Sequence, residues 1–202
     1  MNLLHRVLCN SGMWKRVVEE KIFPWVFQDV DLGRSVVEIG PGPGLTTDLL
    51  RSRVDRLTAV ESDHALADKL ARRLAGTNVT VVEQDATAMQ FPDGSFDGAV
   101  CLTMLHHVPS PALQDRLLAE VARVLRPGAV FAGCDTIAHS GFSWTHIFDT
   151  RVPVDPKTFP ERLRAAGFED IYLETNERAF RFVAHKPATA VANPASKSWR
   201  LS

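Results

Sequence analysis

The sequence predicts an α/β domain in which a mostly parallel sheet carries helices on both faces. Three observations support this prediction: β-branched runs alternate with helical patterns over residues 35–134, glycines cluster after the first run, and acidic residues stand at the ends of the early runs. Ligands of open parallel sheets bind beyond the carboxyl ends of the strands. We therefore expect the functional residues of this chain at its strand ends.

The elements follow from the period of the apolar residues along the chain. Residues 1–30 predict helices, because pairs of apolar residues alternate with charged ones, and we expect this segment to cover the ligand site. Short apolar runs predict five parallel strands, at residues 35–39, 56–61, 79–84, 96–102 and 129–134. Helical patterns separate or follow these strands, at residues 46–53, 63–75, 113–125 and 157–166.

The C-terminal part of the chain predicts a closing antiparallel pair of strands at residues 168–175 and 179–186, whereas residues 136–156 are irregular. From Pro187 the composition changes to Ala, Thr, Pro, Asn and Ser, which is typical of a flexible tail. The chain thus divides into an N-terminal helical segment at 1–30, a single domain at 31–187 and a tail at 188–202.

Length, charge and cysteine content restrict the class of protein. A chain of 202 residues can bury a sizeable core in one domain, and its formal net charge of −1 gives no general attraction for nucleic acid or an anionic membrane. The cysteines Cys9, Cys101 and Cys134 lack a metal-binding or CxxC spacing and predict reduced thiols in the cytoplasm. No apolar run reaches about 18 residues, so we expect neither a signal peptide nor a membrane span.

A glycine-rich turn, Glu38-Ile39-Gly40-Pro41-Gly42-Pro43-Gly44, follows the first predicted strand. Its glycines permit a tight turn and let a ligand approach the backbone closely. A dinucleotide site would show the spacing GxGxxG around a pyrophosphate, but this turn reads GxGxG and begins with an acid. The Glu38 carboxylate would repel a pyrophosphate, and it suits a ligand with an ammonium group, such as the methionine part of S-adenosylmethionine.

Two further acids stand at the ends of the next two strands. Glu61 can accept hydrogen bonds from both hydroxyls of a ribose, and the helix-capping role that an acid could fill there already belongs to Asp63. Asp85 can accept a hydrogen bond from the amino group of adenine, while the Ala86 backbone N–H can face a ring nitrogen. Asp85 alone could equally be a solvated loop acid, but three acids at successive strands together with the glycine turn favour a nucleoside site.

Residues 35–134 resemble the class I S-adenosylmethionine-dependent methyltransferases, especially the type 11 group that includes the ubiquinone and menaquinone C-methylases. The matching segments are VVEIGPGPG, TAVESD, EQDATAMQFPDGSFDGAV, LHHV and LLAEVARVLRPGAVF. The resemblance implies a Rossmann-like sheet of seven strands in the order 3-2-1-4-5-7-6, with the last strand antiparallel. It also implies S-adenosyl-L-methionine as cofactor and S-adenosyl-L-homocysteine as product.

By the family pattern, the glycines line the cofactor, Glu61 holds the ribose, and Asp85 with Ala86 holds the adenine. The cofactor site that we expect consists of Glu38, Gly40, Gly42, Gly44, Glu61, Ser62, Asp85, Ala86 and Leu102.

Residues 36–63 also resemble the ribosomal RNA adenine dimethylases. Those enzymes carry an Asn/Asp-Pro-Pro-Tyr-like tetrad after the fourth strand, where this chain has Leu102-Thr103-Met104-Leu105, and no Pro-Cys pair for attack on cytosine is present. These departures favour a small-molecule acceptor, methylated at oxygen, nitrogen or carbon, over nucleic acid. The alternatives are an RNA or protein methyltransferase, a binding module without catalysis, and a nicotinamide oxidoreductase.

His106 and His107 follow the fourth strand and are the candidate catalytic bases, because an imidazole can take up a proton near neutral pH. Neighbouring residues in an extended turn point in different directions, so we expect only one of them to face the pocket and prefer His106. Packing or capping of the loop before Pro109 is the alternative role for both.

A metal site could be assembled from Asp135 and three later residues, His139, His146 and Asp149, but their spacing matches no established ligand pattern and we expect no metal.

Several aromatic residues lie outside the strand–helix core. We expect some to pack, as Trp25 and Phe27, and others to lie nearer the acceptor, as Phe142 and Trp144; the set is Trp14, Trp25, Phe27, Phe142, Trp144 and Phe148.

Overall fold

A computed structural model describes residues 12–137 and 152–188. They contain one seven-stranded sheet with the strand order β3-β2-β1-β4-β5-β7-β6. Its strands are β1 (Ser35–Ile39), β2 (Arg56–Glu61), β3 (Val79–Glu83), β4 (Phe96–Leu102), β5 (Leu125–Thr136), β6 (Glu169–Thr175) and β7 (Ala179–His185).

The pairing of the strands confirms the predicted topology. The pairs β1–β2, β2–β3, β1–β4 and β4–β5 are parallel, whereas β7 runs antiparallel to both of its neighbours, β5 and β6. The chain leaves β1 towards one edge of the sheet and, after β3, returns to the other side of β1 as β4. This reversal between β1 and β4 is the switch point at which α/β sheets bind ligands.

The helices lie where the apolar periodicity predicts them. Their bounds are α1 (Gly12–Val17), a π-helix (Val18–Ile22), α2 (Phe23–Phe27), α3 (Leu45–Leu50), α4 (His64–Arg73), a 3₁₀-helix (Leu105–His107), α5 (Pro111–Val124) and α6 (Phe159–Ala165). Two starts carry side-chain caps, because Asp63 accepts a hydrogen bond from the Leu66 N–H at 3.0 Å and Ser110 accepts one from the Leu113 N–H at 3.2 Å. None of the helices within the described ranges is long and apolar enough to cross a membrane.

Two boundaries differ from the sequence expectation by more than two residues. Helix α3 ends at Leu50 rather than Arg53, because the Arg53 N–H bonds to the Leu50 carbonyl at 2.9 Å in a tighter turn. Strand β5 begins at Leu125 instead of residue 129 and passes through Pro127 and Gly128. An irregularity in its pairing with β4, between Phe96 and Gly98, accommodates the proline, which cannot donate to the ladder.

The sheet is covered on both faces. Alternate residues of β1 point to opposite sides, so Val37 and Ile39 join the apolar cluster that includes α5, whereas Val36 joins the one that includes α2. Every residue of β1 is buried. A carboxylate within this strand, that of Glu38, is therefore placed in the interior by the fold itself.

Candidate active site

A cavity of about 630 Å³ opens at the carboxyl ends of β1, β2, β3 and β4. It brings together seven of the nine residues expected to bind a cofactor. These lining residues are Gly40, Gly42, Glu61, Ser62, Asp85, Ala86 and Leu102. The other two do not line the cavity: Glu38 lies within β1, and Gly44 is the last residue of the glycine turn.

The glycine turn has the backbone shape that only glycine adopts without strain: φ is 64° at Gly40, 54° at Gly42 and 84° at Gly44. A Cβ on Gly40 would lie 2.3 Å from the Met104 Cγ, so a side chain there would collide with the segment after β4. A Cβ on Gly42 would meet no atom of the described residues within 4 Å. Gly42 thus leaves open space on the cavity wall for a ligand.

The Glu61 carboxylate connects this turn with the start of α4. It is 7% exposed, and it accepts hydrogen bonds from the Gly42 N–H and the Asp63 N–H, both at 2.9 Å. A carboxylate has about four acceptor sites, so two bonds leave capacity for two hydroxyl donors. Asp85 lines the same cavity, and its Oδ1 accepts the Thr87 N–H at 2.8 Å, which orients the side chain.

Glu38 is 2% exposed, and one of its oxygens accepts a hydrogen bond from the hydroxyl of Thr46, a cavity-lining residue. Its other oxygen, Oε2, is buried without a hydrogen-bond partner. Burial, and to a lesser degree the nearby carboxylates of Asp48 and Glu61, raise the pKa of Glu38 to about 7. Thr46 thus links this buried carboxyl group to the cavity.

The two candidate bases are separated by the fold, because successive residues of the 3₁₀-helix point about 120° apart. His107 lines the cavity. His106, which the sequence favoured, does not line it: the residue is 3% exposed, and its Nδ1 lies 2.5 Å from the Asp135 Oδ1. The imidazole rings of the two histidines are in contact, with centroids 4.1 Å apart.

Asp135 also accepts two backbone hydrogen bonds beside its contact with the His106 ring. Its Oδ2 accepts the His106 N–H at 3.0 Å, and its Oδ1 accepts the Thr136 N–H at 2.6 Å. Within residues 12–137 and 152–188, no three His, Cys, Asp or Glu side chains form a group that could hold a metal. Several residues weighed from the sequence, together with the tail at 189–202, lie outside the described residues: Cys9, His139, Phe142, Trp144, His146, Phe148 and Asp149.

A second group of lining residues is apolar and comes from elements distant in sequence; we call this group the apolar end of the cavity, and the carboxylates with the glycine backbone its polar end. Trp14, Val18 and Ile22 reach the cavity from the N-terminal helices, and Leu113 and Leu117 reach it from α5. Trp14, Val18 and Ile22 are four residues apart. They share one face because four residues make about one turn of an α-helix or a π-helix. Trp25 and Phe27 pack elsewhere: the Trp25 Nε1 donates to the Glu174 Oε1 at 3.4 Å, and Phe27 is 4% exposed.

Sequence reasoning did not identify three residues that shape the site. Thr103, directly after β4, adopts a φ of 51°, a conformation that is uncommon for a β-branched residue, and lines the cavity. Met104 fills the space beside Gly40, and Arg73 binds the glycine turn from behind. The contacts of all three depend on tertiary structure; only the position of Thr103 after a strand was a local signal.

Comparisons with known proteins agree with this geometry. Residues 37–133 match the family model described as a methyltransferase domain. The chloroplastic 2-methyl-6-phytyl-1,4-hydroquinone methyltransferase 2 of rice is 31% identical over 143 residues, which cover 69% of this chain and 40% of that protein. Ribosomal RNA small subunit methyltransferase A of Bordetella pertussis is 41% identical over 78 residues, 39% of this chain and 29% of that protein.

The chain therefore spans less than half the length of either of these two relatives. Among solved structures, a SAM dependent methyltransferase from Aquifex aeolicus superimposes with a TM-score of 0.68 at 18% identity, covering 90% of this chain and 96% of that one. The methyltransferase model, the relatives and the strand order together establish that the chain belongs, through this domain, to the class I S-adenosylmethionine-dependent methyltransferases of the type 11 group.

Proposed function

We propose that this protein transfers a methyl group from S-adenosylmethionine to a small apolar molecule, at an oxygen, nitrogen or carbon atom. The observation that carries the proposal is a cavity lined by two chemically different groups of residues. One group, the polar end, consists of carboxylates and glycine backbone, and the other, the apolar end, consists of apolar side chains from α1, the π-helix and α5. Thr103, Met104 and His107, all of which line the cavity, belong to the segment after β4.

The residues at the polar end fit S-adenosylmethionine, which supplies a methyl carbon already activated by its sulfonium. Gly42 leaves room for the ligand, Glu61 has acceptor capacity for the ribose hydroxyls, and Asp85 with Ala86 offers an acceptor and a donor to the adenine edge. The buried Glu38 Oε2 lacks a partner that the ligand's ammonium group would supply.

The apolar end supports an acceptor with a hydrophobic body. Trp14 offers a large aromatic surface, and Val18, Ile22, Leu113 and Leu117 offer aliphatic ones. The name of the rice relative specifies a hydroquinone that carries a phytyl chain. An aromatic ring with an apolar substituent is therefore the acceptor class that we propose for this chain, with the N-terminal segment as the cover of the site.

His107 is the residue that we propose as general base for an acceptor with an O–H or N–H group. The methyl group moves from sulfur to the acceptor atom, the acceptor proton passes to the imidazole, and S-adenosylhomocysteine leaves. His106 does not reach the cavity and acts behind His107, in ring contact with it and bonded to Asp135. Gln114 supports this arrangement, because its Nε2 donates to the Leu105 carbonyl at 3.1 Å.

Calorimetry tests the cofactor, and a methyl-transfer assay tests the acceptor. We expect the protein to bind S-adenosylhomocysteine at one site and to show no heat with NAD. Labelled methyl from S-adenosylmethionine should appear on alkylated hydroquinones or phenols when these are offered in parallel with simple amines and total RNA. Binding of NAD alone would refute the methyl-donor assignment, and labelling confined to RNA would refute the small-molecule acceptor.

RNA methylation is the second candidate function, because the Bordetella pertussis relative is named a ribosomal RNA methyltransferase. The described lining of the cavity argues against it, since it includes the acids Glu61, Asp63 and Asp85 and no Lys or Arg. A site that bound a phosphate backbone would use cations, and its activity would fall steeply with salt.

The buried free thiols of Cys101 and Cys134 support a cytoplasmic location for the proposed enzyme.

A further inference from the structure

The part of the glycine turn from Gly40 to Gly44 has no long or polar side chain of its own that could hold its shape. It contains only glycine and proline, and Gly44, the residue that precedes α3, makes no side-chain cap. Its internal support is one backbone bond, from the Gly44 N–H to the Pro41 carbonyl at 2.9 Å. Glycines lose more conformational freedom on ordering than other residues, so an outside contact that restrains them has a large effect on the turn.

Arg73, the last residue of α4, provides such a contact. Its Nη2 donates to the Pro43 carbonyl at 3.2 Å and to the Gly44 carbonyl at 3.1 Å. Its Nη1 donates to both oxygens of Asp48, at 2.8 and 2.6 Å. One guanidinium therefore joins the turn, helix α3 and helix α4, and its planar fork suits this arrangement in a way that a lysine ammonium does not.

The restraint comes from a residue outside the cavity. Glu61 holds Gly42 from the cavity side, whereas Arg73 does not line the cavity and holds the two residues that follow Gly42. One turn before Arg73 on the same helix, Leu70 closes the contact, because a Cβ on Gly44 would lie 2.2 Å from its Cδ1. Arg73 and Asp48 each have 40% of their side chain exposed, so the ion pair itself adds little to global stability.

We propose that Arg73 is a positioning residue, which keeps the glycine turn in the shape that accepts the cofactor and thereby sets the cofactor affinity without touching the cofactor. This inference rests on the proposed function. Asp48 is then the partner that orients the guanidinium. It lies in the first turn of α3, and its N–H also bonds to the Gly44 carbonyl, at 3.2 Å.

The test is calorimetry with S-adenosylhomocysteine on variants at Arg73. We expect Arg73→Ala to raise the dissociation constant about tenfold, the size of effect of losing one or two hydrogen bonds that order a loop. Arg73→Lys keeps the charge but cannot bond to both carbonyls and the carboxylate, and Asp48→Asn loses the ionic partner; both should lie between wild type and Arg73→Ala. Arg73→Lys also keeps the test valid if the alanine variant folds poorly.

Arg72→Ala is the matched control. Arg72 precedes Arg73 on the same helix, its side chain is 73% exposed, and it pairs with Asp68 one turn earlier. Its removal should leave the dissociation constant unchanged. Equal affinity in Arg73→Ala and Arg72→Ala would overturn the inference and leave the proposed function intact, whereas a wild-type protein that binds no S-adenosylhomocysteine would defeat both.

Amide hydrogen exchange distinguishes positioning from general stabilisation. If Arg73 positions the turn, exchange in Arg73→Ala should accelerate at Gly42 and Gly44 and stay unchanged at the amides of β1 and β4. Acceleration at the strands by the same factor would show that Arg73 only stabilises the domain and would also overturn the inference.

Discussion

The two ends of the cavity are built in different ways. The polar end consists of backbone and short acidic side chains at strand ends, such as Glu61, whose place is set by the sheet and by hydrogen bonds of 2.9 Å to the turn. The apolar end consists of side chains from helices that are separate in sequence and carry no polar anchor, such as Val18 and Leu117. A cofactor common to a family can thus be held by a constant frame, while the acceptor changes with the helices that cover it.

The largest expected effect comes from replacing the proposed base. This change should lower turnover of the acceptor and leave the cofactor affinity unchanged. We expect His107→Gln to lower the methylation rate of an O–H or N–H acceptor by about two orders of magnitude, the lower range for loss of a general base. Affinity for S-adenosylhomocysteine should remain unchanged, because we propose that His107 acts on the acceptor and not on the cofactor. The measurement is turnover of the hydroquinone or phenol identified in the methyl-transfer assay.

His106→Asn is the comparison for that variant. It removes a buried imidazole from Asp135, so it should lower the free energy of unfolding by about 1–3 kcal/mol, whereas His107→Gln should leave unfolding nearly unchanged. Wild-type turnover in His107→Gln would return this histidine to a packing role and remove the base from the mechanism.

The second prediction concerns the polar end alone. Asp85→Ala should weaken binding of S-adenosylhomocysteine by on the order of 1–3 kcal/mol, because the adenine amino group loses its acceptor and the Thr87 N–H loses its bond to Oδ1. Calorimetry measures the change, with Asp93→Ala as the control. Asp93 is also a loop acid, but it pairs with Arg123 and does not line the cavity. Equal affinities in the two variants would exclude Asp85 from the cofactor site.

The third prediction concerns how ligand affinity depends on pH through the ionisation of Glu38. Burial raises its pKa to about 7 from an ordinary value of 4.5, so the carboxyl is neutral below that pH and ionised above it. An ammonium ligand favours the ionised form, and its affinity should therefore rise from pH 6 to pH 8, by up to about tenfold per pH unit below the pKa. Calorimetry at the two pH values, in buffers of different ionisation enthalpy, should also record release of a proton on binding.

The stability of the free protein should show the opposite trend. Because the folded-state pKa of Glu38 lies above the unfolded value, the native state holds more protons between pH 4.5 and 7, and this group's contribution to stability falls as the pH rises through that window. Glu38→Gln should remove both trends and leave affinity independent of pH between 6 and 8. A wild-type affinity equal at both pH values would show that Glu38 does not face the ammonium group.

The same contrast explains what the sequence could predict. The glycine turn, Glu61 and Asp85 follow strands that are short, β-branched and bounded by turns, so local pattern located them and the family resemblance assigned their roles. The strand order was implied by the family resemblance and is confirmed. Local pattern could not separate His106 from His107, because the choice depends on a 3₁₀-helix and on Asp135, which lies 29 residues away in sequence.

Arg73 was missed for a related reason. A basic residue in the last turn of a helix is common, since it complements the helix dipole, and nothing in the residues around Arg73 indicates that its guanidinium reaches carbonyls 29 and 30 residues earlier. The apolar wall was likewise hidden: Trp14, Val18 and Ile22 show a helical period, which predicts burial but does not identify what they cover.

The smallest expected effect tests the apolar end by itself. Ile22→Ala removes apolar surface from the acceptor wall, so it should raise the KM for a hydroquinone or phenol acceptor severalfold, about 1 kcal/mol for a partly exposed side chain. Affinity for S-adenosylhomocysteine should not change. Val17→Ala, which alters a neighbouring apolar residue that does not line this cavity, is the control and should leave KM unchanged. A fall in cofactor affinity in Ile22→Ala would mean that the two ends are not independent, because the N-terminal helices would then also close over the cofactor.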